Sequence, residues 1–151
     1  MTEEQIKPER RPSTSRTLVP ELARVLLVDD DPTSRLTVQT ILEAGGYYVD
    51  SAASAAEAYV KLEKRQFELV LSDVGIESPT SGYEVLAHAR SMDYRPATAI
   101  LTSSYEGSNE PGKRCLVEPQ DVPGLLTKIA NLIGSRASRK VSREMRLQSS
   151  N

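Results

Sequence analysis

The chain has no tryptophan, one phenylalanine, one histidine and one cysteine among its 151 residues. A single thiol, Cys115, cannot close an internal disulfide or build a cysteine-based zinc site. With no tryptophan and one phenylalanine beside six tyrosines, an aromatic base-stacking nucleic-acid surface is not expected, and one imidazole, His88, makes histidine-centred catalysis a poor fit. No run approaches the ~20 apolar residues of a membrane span. Residues 1–20 are polar, hold three prolines and lack the apolar centre of a signal peptide, so a disordered leader on a cytoplasmic protein is expected.

What remains fits one domain with a modest core, 38% of the residues being hydrophobic. The net charge of -2 is unevenly spread. Residues 1–20 carry four bases and three acids, and residues 135–151 carry five bases and one acid, which leaves 21–134 at -7. The reading is an acidic domain over 21–134 and a basic tail (Arg136, Arg139, Lys140, Arg143, Arg146) expected to be a solvated, disordered end.

Two apolar runs end in acid. Val25-Leu26-Leu27-Val28 stops at Asp29-Asp30-Asp31, and Leu69-Val70-Leu71-Ser72 stops at Asp73. Short aliphatic runs of this kind read as strands buried on both faces. Around them the chain alternates. Asp31 caps a first helix with Pro32 at its first position, an apolar set of Leu36, Val38, Ile41 and Leu42, and a stop at Gly45-Gly46. Tyr47–Ala52 is a second strand, where the tyrosine pair packs, and Ser54 with Glu57 forms a capping box for a second helix to about Arg65. Phe67–Ser72 is the third strand, and Gly82 precedes a third helix with Val85, Leu86, Ala89 and Met92 on one face. Ala97–Leu101 and Arg114–Val117 are further strands. Asp121 caps a last helix whose apolar stripe (Leu125, Leu126, Ile129, Leu132, Ile133) runs to Gly134.

Repeated strand–helix pairs imply an α/β fold, a doubly wound parallel sheet with helices on both faces. Ligands in such sheets lie beyond the carboxyl ends of the strands, where the winding reverses. Asp29, Asp30, Asp73 and Thr102 all fall at such ends, and crowded like charges there point to a divalent cation. Between Thr102 and Arg114 the eleven residues hold two glycines, a proline, three serines and no apolar stripe, so a fourth crossover helix is expected to be missing or reduced to a turn.

The segments Val-Leu-Leu-Val-Asp-Asp-Asp-Pro, Leu-Val-Leu-Ser-Asp, Ile-Leu-Thr-Ser and Glu-Pro, in this order over residues 23–134, resemble the receiver domain of two-component response regulators. The resemblance implies a flavodoxin-like five-stranded sheet of order 2-1-3-4-5. It also implies phosphoryl transfer from a phosphohistidine on a sensor kinase or phosphotransfer protein to Asp73, with Mg²⁺. Asp30 would ligate the ion directly and Asp29 through a water or a second contact, and the backbone carbonyl of Gly75 would add an oxygen. Thr102 would hydrogen-bond the phosphoryl group, with small Ser103 leaving room. Signalling would pass through a protein target, with no DNA-binding domain and no membrane partner. Hard oxygen ligands suit Mg²⁺, and a carboxylate can act as nucleophile.

Three positions depart from the family pattern. Glu118 stands where the family keeps a lysine before Pro119, Cys115 replaces the aromatic switch residue, and the loop after Asp73 is about one residue longer, which displaces Pro79. Three carboxylates, Mg²⁺ and a phosphoryl group leave about -2, which a lysine would lower and an inward glutamate would raise to -3. Glu118 therefore cannot replace the lysine; it turns outward, or Lys113 or Arg114 reaches in. Two alternatives stay open: an atypical receiver acting as a phosphorylation-independent interaction module, and a haloacid-dehalogenase-like phosphatase in which Asp29 is nucleophile and Asp31 the acid. For the latter no later lysine, acidic motif or cap domain is apparent. His88 is expected to be a surface or packing residue.

Overall fold

Five parallel strands form one sheet: β1 (Arg24–Val28), β2 (Tyr48–Ala52), β3 (Leu69–Asp73), β4 (Ala97–Leu101) and β5 (Leu116–Val117), in the spatial order β2-β1-β3-β4-β5. The computed structural model describes residues 23–101, 116–117 and 122–149. The helices are α1 (Pro32–Ala44), α2 (Ala55–Lys64), α3 (Ser81–Arg90) and α4 (Val122–Ser149). This is the doubly wound α/β sheet that the strand–helix alternation implies. The segment expected to lack a crossover helix lies outside the described residues.

Alternation along each strand divides the core in two. Val25, Leu27, Leu69, Leu71, Ala99 and Leu101 face one side, where Val38 and Leu42 of α1 and Leu125 and Ile129 of α4 cover them. Leu26, Val28, Val70 and Ile100 face the other, under Ala58 and Leu62 of α2 and Val85, Leu86 and Ala89 of α3. Every strand residue from Val25 to Val28 has no exposed surface, as expected for a strand covered by helices on both faces. The winding runs from β1 outward to β2, then returns past β1 to β3, so the reversal lies between β1 and β3.

Local chemistry sets the helix ends. The Asp31 carboxylate accepts from the Thr33 N–H at 3.4 Å and Pro32 opens α1. Gly46, at φ 100°, makes the left-handed step that a side chain would resist. Ser54 Oγ accepts from Glu57 N at 3.1 Å while Glu57 Oε1 accepts from Ala53 N at 2.9 Å, a reciprocal capping arrangement.

Three expectations change. Leu36 is 65% exposed, because two residues turn a helix by 200° and set it opposite Val38. Met92 falls beyond the end of α3. Residues 135–149, expected to be a disordered tail, continue α4, which runs on through Gly134 to a length of about 42 Å. One glycine inside a helix costs only about 1 kcal/mol, and the arginine-, serine- and alanine-containing run after it has no proline. Arg136 also pins the extension, donating Nε to Arg95 O at 3.0 Å and Nη2 to Tyr94 O at 2.8 Å.

Gly82 is the position where absence of a side chain is obligatory. A Cβ there would overlap the backbone carbonyl oxygens of Asp73 and Val74, neither of which can swing away. Gly82→Ala should therefore lower unfolding free energy by about 1–3 kcal/mol in urea melts; an unchanged midpoint would contradict this packing.

Candidate functional site

The end of β1 and the end of β3 are neighbours in the sheet, Val28 pairing with Ser72, so Asp29 and Asp73 leave adjacent strands at the same level. Carboxylate oxygens of Asp29, Asp30 and Asp73 lie within 4.8 Å of one another. Asp29 is nearly buried, Asp73 half-buried and Asp30 exposed. Among the described residues none of the three is in an ion pair. The cluster thus concentrates negative charge at the winding reversal of the sheet.

Each acid is held differently. Asp29 donates its N–H to Ala52 O at 3.0 Å, its Oδ1 accepts from Asp31 N at 3.0 Å, and its carbonyl accepts from Arg35 Nη1 at 2.8 Å. Arg35 therefore fixes the turn after β1 from the first coil of α1. Burial raises the Asp73 carboxyl above the ordinary carboxylate range. The Asp29 charge adds to this, the Val74 backbone hydrogen bond opposes it, and Asp30 and Asp31 contribute smaller repulsions. A carboxylate so placed gains from any cation that arrives.

The loop after Asp73 is organised by Ser81, a residue that spacing alone did not single out. Its buried hydroxyl accepts from Ile76 N, Glu77 N and Ser78 N at 3.1, 3.0 and 3.3 Å and donates to Ser78 O at 3.1 Å. Gly82 N donates to Val74 O at 3.0 Å, and Ile76 plugs the core beneath. Glu77 reaches across to accept from Ala55 N at 3.1 Å. Gly75 lies inside this clamped loop, two residues past Asp73. A serine opening a helix just after a Pro-containing loop is the signal that could have identified the clamp.

Asp31 caps α1 and is not one of the three clustered acids. His88 stands apart from them, 3.2 Å from Glu63 and with its ring 4.6 Å from that of Tyr59, a packing and surface role as expected. Leu101 pairs with Asp73, so β4 ends level with the cluster. Thr102, Ser103, Lys113, Arg114, Cys115 and Glu118 lie outside the described residues.

The raised Asp73 value has a signed consequence. An acid that holds its proton more tightly when folded destabilises the fold once it ionises, so its contribution improves as pH falls through the raised value. In EDTA near neutral pH, Asp73→Asn should raise the melting temperature by about 2–5 °C. That gain should shrink on acidification; a variant less stable than wild type at neutral pH would contradict the repulsion.

Comparison with known proteins agrees with this geometry. The family model for the response regulator receiver domain matches residues 25–130. A gliding motility regulatory protein of Myxococcus xanthus is 37% identical over 78 residues, 52% of this chain and 10% of that protein. A putative transcriptional regulator of Pseudomonas aeruginosa is 32% identical over 112 residues, 74% of this chain and 52% of that protein. The chain thus spans a tenth of the first relative and about half of the second. The crystal structure of a CheY-like receiver domain protein from Methanospirillum hungatei superposes with a TM-score of 0.66 at 29% identity, over 79% of this chain and 99% of that one. With the family match spanning most of the sequence and the acids gathered at the sheet's winding reversal, the chain belongs to the response regulator receiver domain family.

Proposed function

We propose that this domain accepts a phosphoryl group on Asp73 from a phosphohistidine of a sensor kinase or phosphotransfer protein, and signals through protein contacts. The observation that carries this reading is the meeting of the Asp29, Asp30 and Asp73 carboxylates within 4.8 Å. Ligand oxygens on one Mg²⁺ lie at most about 4.2 Å apart, so small side-chain rotations bring this all-oxygen set into range. Asp29, Asp30, Asp73 and the Gly75 carbonyl are the residues that would hold the ion. When bound it would neutralise charge on the transferring group.

The chain's own part is positional. A carboxylate oxygen of Asp73 bonds to phosphorus as the bond from phosphorus to the histidine nitrogen breaks; the electron pair stays on that nitrogen, which takes a proton from solvent as imidazole leaves. Ser81 and Gly82 hold the following loop against the Asp73 and Val74 carbonyls, which fixes where the carboxylate points. The Asp31 carboxylate caps α1, which supports a phosphoacceptor over a phosphatase that would use Asp31 as acid. Glu118 and Cys115, in place of lysine and an aromatic, favour the second reading, an interaction module that works without phosphorylation.

A small phosphodonor with Mg²⁺ should add one phosphoryl group by intact mass, with none on Asp73→Asn and none in EDTA. A folded wild type that stays unlabelled would select the interaction module. Glu118→Lys should tighten beryllofluoride binding at least tenfold, about 1.4 kcal/mol. No gain would contradict the charge count at that position.

A further inference from the structure

At the opposite end of the sheet from the acids, the extension of α4 and the turn between α3 and β4 enclose a cleft of about 570 Å³. Six cations line it. Arg90 and Arg95 stand on the turn side, and Arg136, Arg139, Lys140 and Arg143 on the helix side, against one acid, Asp93. Positions 136, 139, 140 and 143 share one arc of a helix, so the four helix cations face the cleft together. Among the described residues none of the six forms an ion pair.

The cleft is built rather than incidental. Arg136 is bonded to the carbonyls of Tyr94 and Arg95 and so locks the helix over the turn, while Arg90 Nη1 donates to Thr98 Oγ1 at 3.1 Å. Arg95 itself sits at φ 47°, a left-handed conformation few side-chain-bearing residues adopt. Like charges three and four residues apart weaken a helix, so the bare extension carries a cost that an anion would remove.

We propose that this cleft binds a compact polyphosphate, the di- or triphosphate chain of a nucleotide or of an inorganic polyphosphate. Five of the six cations are arginines; Arg136 gives Nε and Nη2 to backbone carbonyls, while the planar forks of Arg95, Arg139 and Arg143 match phosphate oxygens two at a time. One phosphate, at roughly -2, leaves most of the charge uncompensated, whereas a chain of two or three matches it. Cations on two facing walls around a volume typical of small-molecule sites favour an inserted ligand over a nucleic-acid duplex laid on an open face.

Calorimetric titration of the full chain in EDTA, which leaves the acidic site without metal, tests the assignment. Tripolyphosphate should bind saturably, and the double variant Arg139→Gln/Arg143→Gln should weaken it at least about tenfold. Arg139 is exposed and Arg143 partly so, both on the arc of the helix that lines the cleft, and a circular dichroism spectrum matching that of wild type is the check that the variant folds. Asp73→Asn should bind like wild type. Tighter binding of a nucleoside triphosphate than of tripolyphosphate identifies a nucleotide as the source; equal binding identifies the phosphate chain alone. No saturation below ~1 mM, an unaffected double variant, or tighter binding of short duplex DNA than of tripolyphosphate would overturn the proposal.

Discussion

Three carboxylates forced together at the ends of two neighbouring parallel strands govern this molecule. Their repulsion is built in by topology. Once β1 and β3 pair with Val28 opposite Ser72, Asp29 and Asp73 must emerge side by side. The sheet tolerates this because its cost is local, while Val25–Val28 and Leu69–Leu71 are fully buried beneath the helices on the two faces. The surrounding backbone then restricts the acids rather than relieving them. Arg35 ties the turn after β1, and Ser81 and Gly82 tie the loop after β3. A pre-formed cluster of carboxylate oxygens is a donor set that suits a hard cation.

Charge is sorted along the strand direction. The acids lie beyond the carboxyl ends of the strands, and the basic cleft lies beside the amino end of β4, where residues 90–96 lead into Ala97. A five-residue strand is about 16 Å long, well beyond the Debye length of about 8 Å at physiological ionic strength. The two fields are therefore largely screened from each other, and each end can meet a different partner chemistry. No described helix is long and apolar enough to cross a membrane.

Much of the fold was legible because its signals are local. The runs Val25–Val28 and Leu69–Ser72 are too short and too aliphatic for anything but buried strands, and each is closed by acid. Caps at Asp31 and Ser54 and the left-handed step at Gly46 could be read from residue type alone. What escaped depends on tertiary structure. Gly134 looked like a helix stop, yet a glycine ends a helix only if the chain turns there, and Arg136 holds it in line. Leu36 was counted in the apolar set of α1 although its angle on the helix sets it outward. The Ser81 clamp needs a folded loop before three N–H groups can converge on one hydroxyl. The basic cleft joins residues more than forty positions apart.

The most direct measurement is a Mg²⁺ titration of the wild-type chain followed by amide NMR. If the three acids share one cation, resonances of residues 29–31 and of 73–75 should move together along a single saturable curve, with the Ser81 and Gly82 amides following because they hold the same loop. Shifts confined to one of the two strand ends, or no saturable shift at either, would contradict a common site.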